Sequence, residues 1–462
     1  METTYVTKAK IKPIIINSVL LISVLFVLSN KAYAQNNDSV TIASLESQIR
    51  IRAAEIEKKM IGWREDIHQH PELGDAEMRT SKIVADQLNH LGMEVTTGVA
   101  RTGVIGILKG GKPGATIALR ADMDALPVKE PEGLSFASKA MGTMRGQQVN
   151  VMHACGHDTH TAMLMAAAEV LSGMKQDIPG TIMFIFQPAE EGSSIVDPTT
   201  GDIWGAQLIL KEGWFKKVKP EAVFALHVMV GPSGAIFFKS GATTAGSENF
   251  TLKVSGRGGH GGMPWSTIDP VPTAALIVSG LQTTVSRKAD LTKSPAVVTV
   301  ATLQAGSNPN VIPDSVFMSG TIRSYDKDFQ NKLDSDVTLT AEKIAESQGG
   351  IAKITITPNY PATINDSKLA DQMSPVLKRV SNNVSESPLQ GASEDFSFYA
   401  KEIPGLFIFL GITPKDQDPA TAAPNHNPHF FVDETALITG IRAMASMTIN
   451  YLVSAANTKK NK

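Results

Sequence analysis

Apolar positions along this chain fall into two textures. In the first, Leu45, Ile49, Ala53, Ile56 and Met60 recur at the three- and four-residue spacing of one helix face, which predicts a helix over residues 44–67. A second helical run, 79–91, stops at Gly92, a residue suited to the left-handed turn that ends helices. Short β-branched runs at 104–108, 116–119, 181–186 and 222–226 read as buried strands, with a helix at 159–171 between two of them. Strands alternating with helices predict an α/β layer, a mostly parallel sheet flanked by helices.

From residue 247 the texture changes. A strand at 249–254 is followed by a helix at 269–285, strands at 296–303 and 316–323, a helix at 327–348 and a strand at 351–357. That β-α-β-β-α-β order is the split, ferredoxin-like α+β pattern. A helix at 369–380, a buried strand at 405–411 and a long helix at 434–453 then resume the first texture. The predicted organisation is an α/β domain in two parts, 44–246 and 361–456, interrupted by an inserted domain at 247–360. A length of 462 residues suits such a division.

The N-terminal segment follows another rule. Lys8, Lys10 and Lys12 precede the apolar run 14–28, and Ala32-Tyr33-Ala34 offers a small-x-small cleavage site after Ala34. The run is shorter than the roughly 20 residues a membrane span needs. Residues 1–34 are therefore expected to be a removable signal peptide, placing the mature protein in a periplasmic or extracellular compartment without stable membrane association. An uncleaved anchor is the alternative. The whole chain has 43 Lys+Arg against 45 Asp+Glu, so nothing marks a nucleic-acid partner. Export also sharpens the meaning of the single cysteine, Cys155, which has no internal disulfide partner. A lone thiol there is either buried and inert or held by a metal.

Candidate chemistry gathers at strand ends, where α/β sheets place ligands. Asp122 and Asp124 follow the 116–119 strand at i, i+2 spacing; alone they are as readily a turn with two solvated acids. His153, Cys155, His157, Asp158 and His160 form a dense set of soft and borderline metal donors, with Gly156 allowing Cys155 and His157 to converge. Asp158 or Thr159 is expected to cap the helix that follows. Glu190 and Glu191 stand side by side after the 181–186 strand, an arrangement that gives one ligand and one general base. On its own such a pair is more often a solvated loop. His227 ends another strand, and His426 and His429 flank Pro428 in a loop before the last helix.

Read together, the passages IGWREDIHQHPELG, LRADMDALPV, MHACGHDTHTAML, QPAEEG, GRGGHGGMPW, NVIPD, GASEDFSFY and NHNPHF resemble, in order over residues 61–453, a family of metal-dependent amidohydrolases and peptidases. That family includes aminoacylases, carboxypeptidase G, hippurate hydrolases and auxin-conjugate hydrolases; the hippurate and auxin-conjugate branch is the most similar. The resemblance implies a catalytic domain with two divalent metal ions (zinc, manganese or cobalt) and an inserted lid or dimerisation domain. It implies Cys155, His157, Glu191, His227 and His426 as ligands, Glu190 as general base, and His260 as a residue that reaches a partner's active site and polarises the scissile carbonyl. Asn310 and Arg323 are implied substrate-carboxylate contacts, Arg323 otherwise a strand-edge surface residue, and Asp122 and Asp124 are implied supports of the ligands. Most of the wider family has a metal-binding His at the position of Asp122, and Cys155 compensates. The expected activity is hydrolysis of small N-acyl amino acids or related conjugates by a homodimer. Alternatives are a carboxypeptidase or dipeptidase and, against the retention of Glu190, Glu191 and His260, an inactive binding protein. Two departures bear on specificity: the long stretch 193–204 after the glutamates, and Trp265, where this branch often has His. His68, His70 and Glu72 are read as helix-end structure.

Overall fold

The computed structural model describes residues 1–3, 15–196 and 201–460. Residues 4–14 of the expected signal segment and 197–200 of the expected insertion lie outside the described residues. The first helix, α1 (Ile15–Gln69), starts well before residue 44, and its face of Leu45, Ile49, Ala53, Ile56 and Met60 is buried. It is followed by α2 (Met78–His90), β1 (Glu94–Val99), β2 (Gly103–Lys109), β3 (Lys112–Asp122), α3 (His157–Ser172), β4 (Pro179–Gln187), β5 (Ala222–Pro232) and β6 (Ile236–Phe238). The inserted unit comprises β7 (Gly246–Ser255), α4 (Pro270–Thr283), β8 (Ala296–Ala305), β9 (Ser315–Ser324), α5 (Lys327–Ser347) and β10 (Ile351–Tyr360). The chain then returns through α6 (Ser367–Val380), β11 (Val384–Glu386), α7 (Phe396–Glu402), β12 (Gly405–Thr413) and α8 (Leu437–Lys460).

The main sheet has the order β1-β2-β4-β3-β5-β12-β6-β11. Its centre, β4-β3-β5-β12, is parallel, while β1, β2 and β6 join antiparallel, so the sheet is mixed. Alternate residues of the central strands serve opposite cores. Ile117, Leu119, Phe184, Phe224 and Leu226 pack with residues of α1, α3 and α8, whereas Ala118, Met183, Ile185, Val223 and Ala225 pack with α7 and the short helices Gly205–Lys211 and Trp214–Val218. Burial on both faces explains why these strands read as unbroken apolar runs. The chain passes from β3 through α3 to β4, then crosses to β5 on the other side of β3, making a switch point at the C-terminal strand ends. Among the described residues one helix, Glu434–Thr458, is long and apolar enough to cross a membrane, yet 78% of its most apolar stretch is buried within the fold.

The inserted unit is an antiparallel sheet, β8-β9-β7-β10, with α4 and α5 on one face. Phe250, Leu252, Val254, Ile277, Leu281 and Val337 form its own core. Aspartates set its helix starts: Asp269 accepts from the Val271 amide at 2.9 Å and Asp326 from Phe329 at 2.8 Å. Strand β8 forms one edge of this sheet, with Val297 and Leu303 exposed.

A buried acid makes this unit pH-sensitive. Glu248 on β7 accepts from Gln330 Nε2 at 3.2 Å, and burial together with neighbouring Asp334 pushes its carboxyl from 4.5 up to about 7. The fold favours the protonated acid, so the contribution is fully present below the unfolded value and lost as pH rises through 7. Glu248→Gln is therefore expected to raise the melting temperature at pH 8 by a few degrees and leave it unchanged at pH 4.5. An equal shift at both pH values in calorimetry would contradict this origin.

Candidate metal centre

Local backbone geometry at the C-terminal strand edge builds the site. Gly156 sits at φ +95°, and a β-carbon there would lie 2.4 Å from Val228 Cγ2. Only glycine makes this turn against β5, and it sends Cys155 and His157 to one side. The expected cap by Asp158 or Thr159 is not what forms: α3 starts directly after Gly156, with the Thr159 hydroxyl donating back to the Gly156 carbonyl at 2.6 Å. Asp158 instead pairs with Arg64 and His68, both at 2.8 Å, in a buried network. The last element arrives on the loop after β12, where the His426 amide donates to the Ala154 carbonyl at 2.7 Å. Asn425 Nδ2 donates to the carbonyls of Cys155 at 2.9 Å and Val228 at 3.1 Å, stitching the same loop down.

These turns bring five side chains together. Cys155 Sγ lies 3.5 Å from His227 Nε2 and 3.3 Å from His426 Nε2. Glu191 Oε1 is 2.9 Å from His426 Nε2 and 4.0 Å from His157 Nε2. The far nitrogens are already engaged: His157 Nδ1 with Asp124 at 3.2 Å, and His227 Nδ1 with the Val228 carbonyl at 2.7 Å. Their Nε2 lone pairs are thereby turned inward, as carboxylate and carbonyl partners do for metal-binding imidazoles. Among the described residues, two donor sets contain the thiol, Cys155–His157–His227 and Cys155–Glu191–His426, each with its atoms within 4.8 Å of one another; His157–Glu190–Glu191, Asp122–His157–His160 and Glu190–Glu394–Asp395 group as closely.

The electrostatics fit a cation. Among the described residues His157 Nε2 is buried with no hydrogen-bond partner, which costs free energy unless something binds it. Burial, then Glu191, pushes the Cys155 thiol up, whereas His426 is raised to about 10 by Cys155 and Glu191. Burial, then His160, lowers His227, so it presents a neutral ring. Thiol, imidazole and carboxylate together match the donor preferences of zinc and its neighbours. A bound cation would reverse the pressure on the thiol and hold it as thiolate.

Glu190 is placed differently from Glu191. It is buried beside Glu394 and Asp395, and burial with the charges of Glu394, Glu191 and Asp395 pushes its carboxyl well up. Asp122 lies one step behind the ligand groups, accepting from His160 Nδ1 at 2.6 Å while His160 Nε2 accepts from the Val228 amide at 2.8 Å. Arg120, fully buried, contacts Asp122 at 2.6 Å, Asp395 at 2.7 Å, Glu394 at 2.9 Å and Gln187 at 3.0 Å. The sequence reading gave Arg120, Glu394 and Asp395 no role, and counted His160 only among the dense set of candidate donors. Adjacent acids before an apolar helix, the same pattern as Glu190 and Glu191, were the available signal. His153 turns away from the cluster, its ring 6.4 Å from that of His68.

Other expected site residues lie elsewhere. His260 is exposed on the inserted unit, paired through Gly259–His260 with Val311–Ile312, and its Nδ1 accepts from the Gly262 amide at 3.0 Å. Asn310 sits beside it, accepting from the Gly261 amide at 2.8 Å. Among the described residues neither bonds to the cluster. Arg323 is half-buried and reaches across to the Ser393 hydroxyl, next to Glu394. His429 is exposed and outside both donor sets. Glu72 accepts from the amides of Arg79 and Thr80 at 2.9 and 2.8 Å and so caps α2, and His70 donates to the Asp66 carbonyl at 2.9 Å. Ser194 in the 193–204 stretch is anchored to Gly74 by its amide, and Trp265 is 81% exposed.

Comparison with known proteins places these features in a wider set. A profile of peptidase family M20/M25/M40 matches residues 118–450. Thermostable carboxypeptidase 2 of Saccharolobus solfataricus is 37% identical over 410 residues, 88% of this chain and 99% of its own. IAA-amino acid hydrolase ILR1-like 2 of Arabidopsis thaliana is 37% identical over 451 residues, 95% of this chain and 96% of its own. A solved Bacillus subtilis protein, described as a dinuclear metal binding peptidase from the M20 family, superposes with a TM-score of 0.72 at 32% identity, covering 86% of this chain and 99% of that one.

The shared thiol yields a test by metal content. Cys155→Ala is expected to deplete both ions of the purified protein, whereas His227→Ala and His426→Ala each deplete one. Elemental analysis showing full content in Cys155→Ala would remove the thiol from the ligand set. Asp124→Asn should weaken metal affinity by roughly 10–100-fold, the usual effect of losing a ligand's orienting partner.

Proposed function

This chain belongs to peptidase family M20/M25/M40 and is a metal-dependent hydrolase of amide bonds, and from that premise we propose that it releases the amino acid from small N-acyl amino acids or related conjugates. The observation that carries the reading is the pairing of two donor sets on one thiol with a separate buried acid beside them. Cys155, His157, Glu191, His227 and His426 hold two divalent ions, of which zinc, manganese and cobalt all suit the donors. Metal held by these residues would supply Lewis-acid chemistry, acidifying a water and stabilising charge on the carbonyl oxygen. Glu190 takes the proton from the nucleophile and passes it to the departing amine nitrogen. Asp124 and the Val228 carbonyl keep His157 and His227 in one tautomer and orientation.

The acyl-conjugate reading is supported by the length over which the plant conjugate hydrolase aligns. The second reading, a carboxypeptidase, is supported by a relative of equal identity. N-acetyl, N-benzoyl and dipeptide substrates separate them, and cleavage of dipeptides alone would overturn the first. We further infer a homodimer in which His260 and Asn310 serve the other subunit's site, Arg323 standing at the junction of the two units. Exposed His260, remote from its own cluster's bonds, and the open β8 edge support that assembly. Residues 1–34 are proposed to direct export and be removed after Ala34; intact mass of the mature protein tests the cut.

Two activity measurements follow. Glu190→Gln should keep its metals and lose kcat by roughly 10²–10⁴-fold, the range for a positioned general base; turnover near wild type would dismiss the base. Inactive Glu190→Gln and His260→Ala homodimers, mixed and allowed to exchange subunits, should regain part of wild-type activity, because one site in each hybrid is intact. No recovery despite demonstrated exchange would mean His260 does not act across subunits.

A further inference from the structure

Tyr360 is the last residue of β10, where the inserted unit returns to the main domain. Its hydroxyl donates to the main-chain carbonyl of Glu190 at 2.7 Å and accepts from the Trp204 indole at 3.2 Å. Its ring stands edge-on to Phe398, with centroids 6.0 Å apart. The segment it grips is strained: Ala189, just before Glu190, has φ +52°, a left-handed conformation that a β-carbon disfavours. Glu77 holds the other side of the turn by accepting from the Ala189 amide at 2.8 Å. Among the described residues the Glu190 carboxylate receives a long hydrogen bond, 3.4 Å, from the Asp395 amide. The backbone on either side of it is held more firmly, by the Gly192 amide on the Ala189 carbonyl at 3.3 Å and by the Glu191 amide on Asp124 at 2.9 Å as well as by Glu77 and Tyr360. Of these anchors, Tyr360 comes from the inserted unit.

We propose that Tyr360 is a positioning residue for the general base, its hydroxyl clamping the strained 189–190 turn so that placement of Glu190 depends on docking of the inserted unit. This rests on the reading of Glu190 as base. Arg323 to Ser393 and the Tyr325 hydroxyl to the Gln390 carbonyl, at 3.0 Å, are further ties from β9 and its end to the loop that precedes Glu394 and Asp395. Movement of the inserted unit would thus reach the acids around Glu190 by two routes. Tyr360 is the one that touches Glu190 directly.

The test uses the full chain loaded with metal and an N-acyl amino acid that it turns over. Tyr360→Phe keeps the ring and removes the hydroxyl; kcat is expected to fall by roughly tenfold or more, as small misplacements of reacting groups do, with KM and metal content unchanged. Phe398→Leu loosens the packing and leaves the hydroxyl; it should lower the melting temperature and spare kcat. An unchanged kcat in Tyr360→Phe, or a fall that tracks metal loss, overturns the proposal. So does an equal fall of kcat in Phe398→Leu, which would make packing the cause. Glu190→Gln run in parallel separates the two readings. If it retains turnover, the base assignment fails and this proposal with it. If it is inactive while Tyr360→Phe is fully active, only the clamp fails.

Discussion

Burial of like-charged groups at one sheet edge is the constraint from which this structure follows. Glu190, Glu191, Glu394 and Asp395 converge behind a thiol and three imidazoles, and the positive charge available from protein in the interior there is chiefly Arg120. Arg120 faces Asp122, Glu394 and Asp395, on the side away from Cys155. On the thiol side, among the described residues, Glu191 faces His426 at 2.9 Å and His157 at 4.0 Å. Buried charge that is poorly partnered is costly, and bound metal would resolve the imbalance there. Removing them should leave an edge of mutually repelling groups, so metal binding and the local order of the Cys155 and His426 loops are coupled.

Much of this was legible in the chain. The central strands show as apolar runs because both faces are covered, and the inserted unit shows as alternation because one face of its sheet is open. Periodicity therefore pointed to two units, an inserted one expected at 247–360, and the fold has two separate cores with the strands Gly246–Ser255 and Ile351–Tyr360 in the smaller unit. Candidate donors were readable as residue types in short passages at strand ends, the resemblance singled out Cys155, His157, Glu191, His227 and His426 among them, and the fold brings these five side chains together. What was not legible came from long-range contacts. Arg120 reads as a polar residue closing a strand, and only the folded sheet brings Glu394 and Asp395 to it across 274 and 275 residues of sequence. The helix start after residue 156 was misread because side-chain capping by Asp158 is the local preference, and tertiary pairing with Arg64 and His68 takes that carboxylate away. The last two strands of the main sheet, β6 and β11, are three residues long and carry too little pattern to register.

Division of labour between the two units follows from the same geometry. The main domain supplies every member of both donor sets, and the inserted unit supplies contacts that approach them from outside: Tyr360 to the Glu190 backbone, Arg323 to Ser393, and the exposed His260 loop. A fold arranged this way can keep its ions while the inserted unit moves, and it can make the chemistry wait for that unit to dock.

The central claim of the proposed function is that Cys155, which belongs to two donor sets, would serve two metal ions as a shared thiolate. Optical titration of the metal-free protein with Co²⁺ tests it most directly, because a thiolate bound to cobalt gives a charge-transfer band in the near ultraviolet that oxygen and nitrogen donors do not. The account predicts that the band grows through two equivalents and is lost in Cys155→Ser. Uptake of two cobalt ions with no such band would contradict it, and would leave Cys155 as a buried bystander among other ligands.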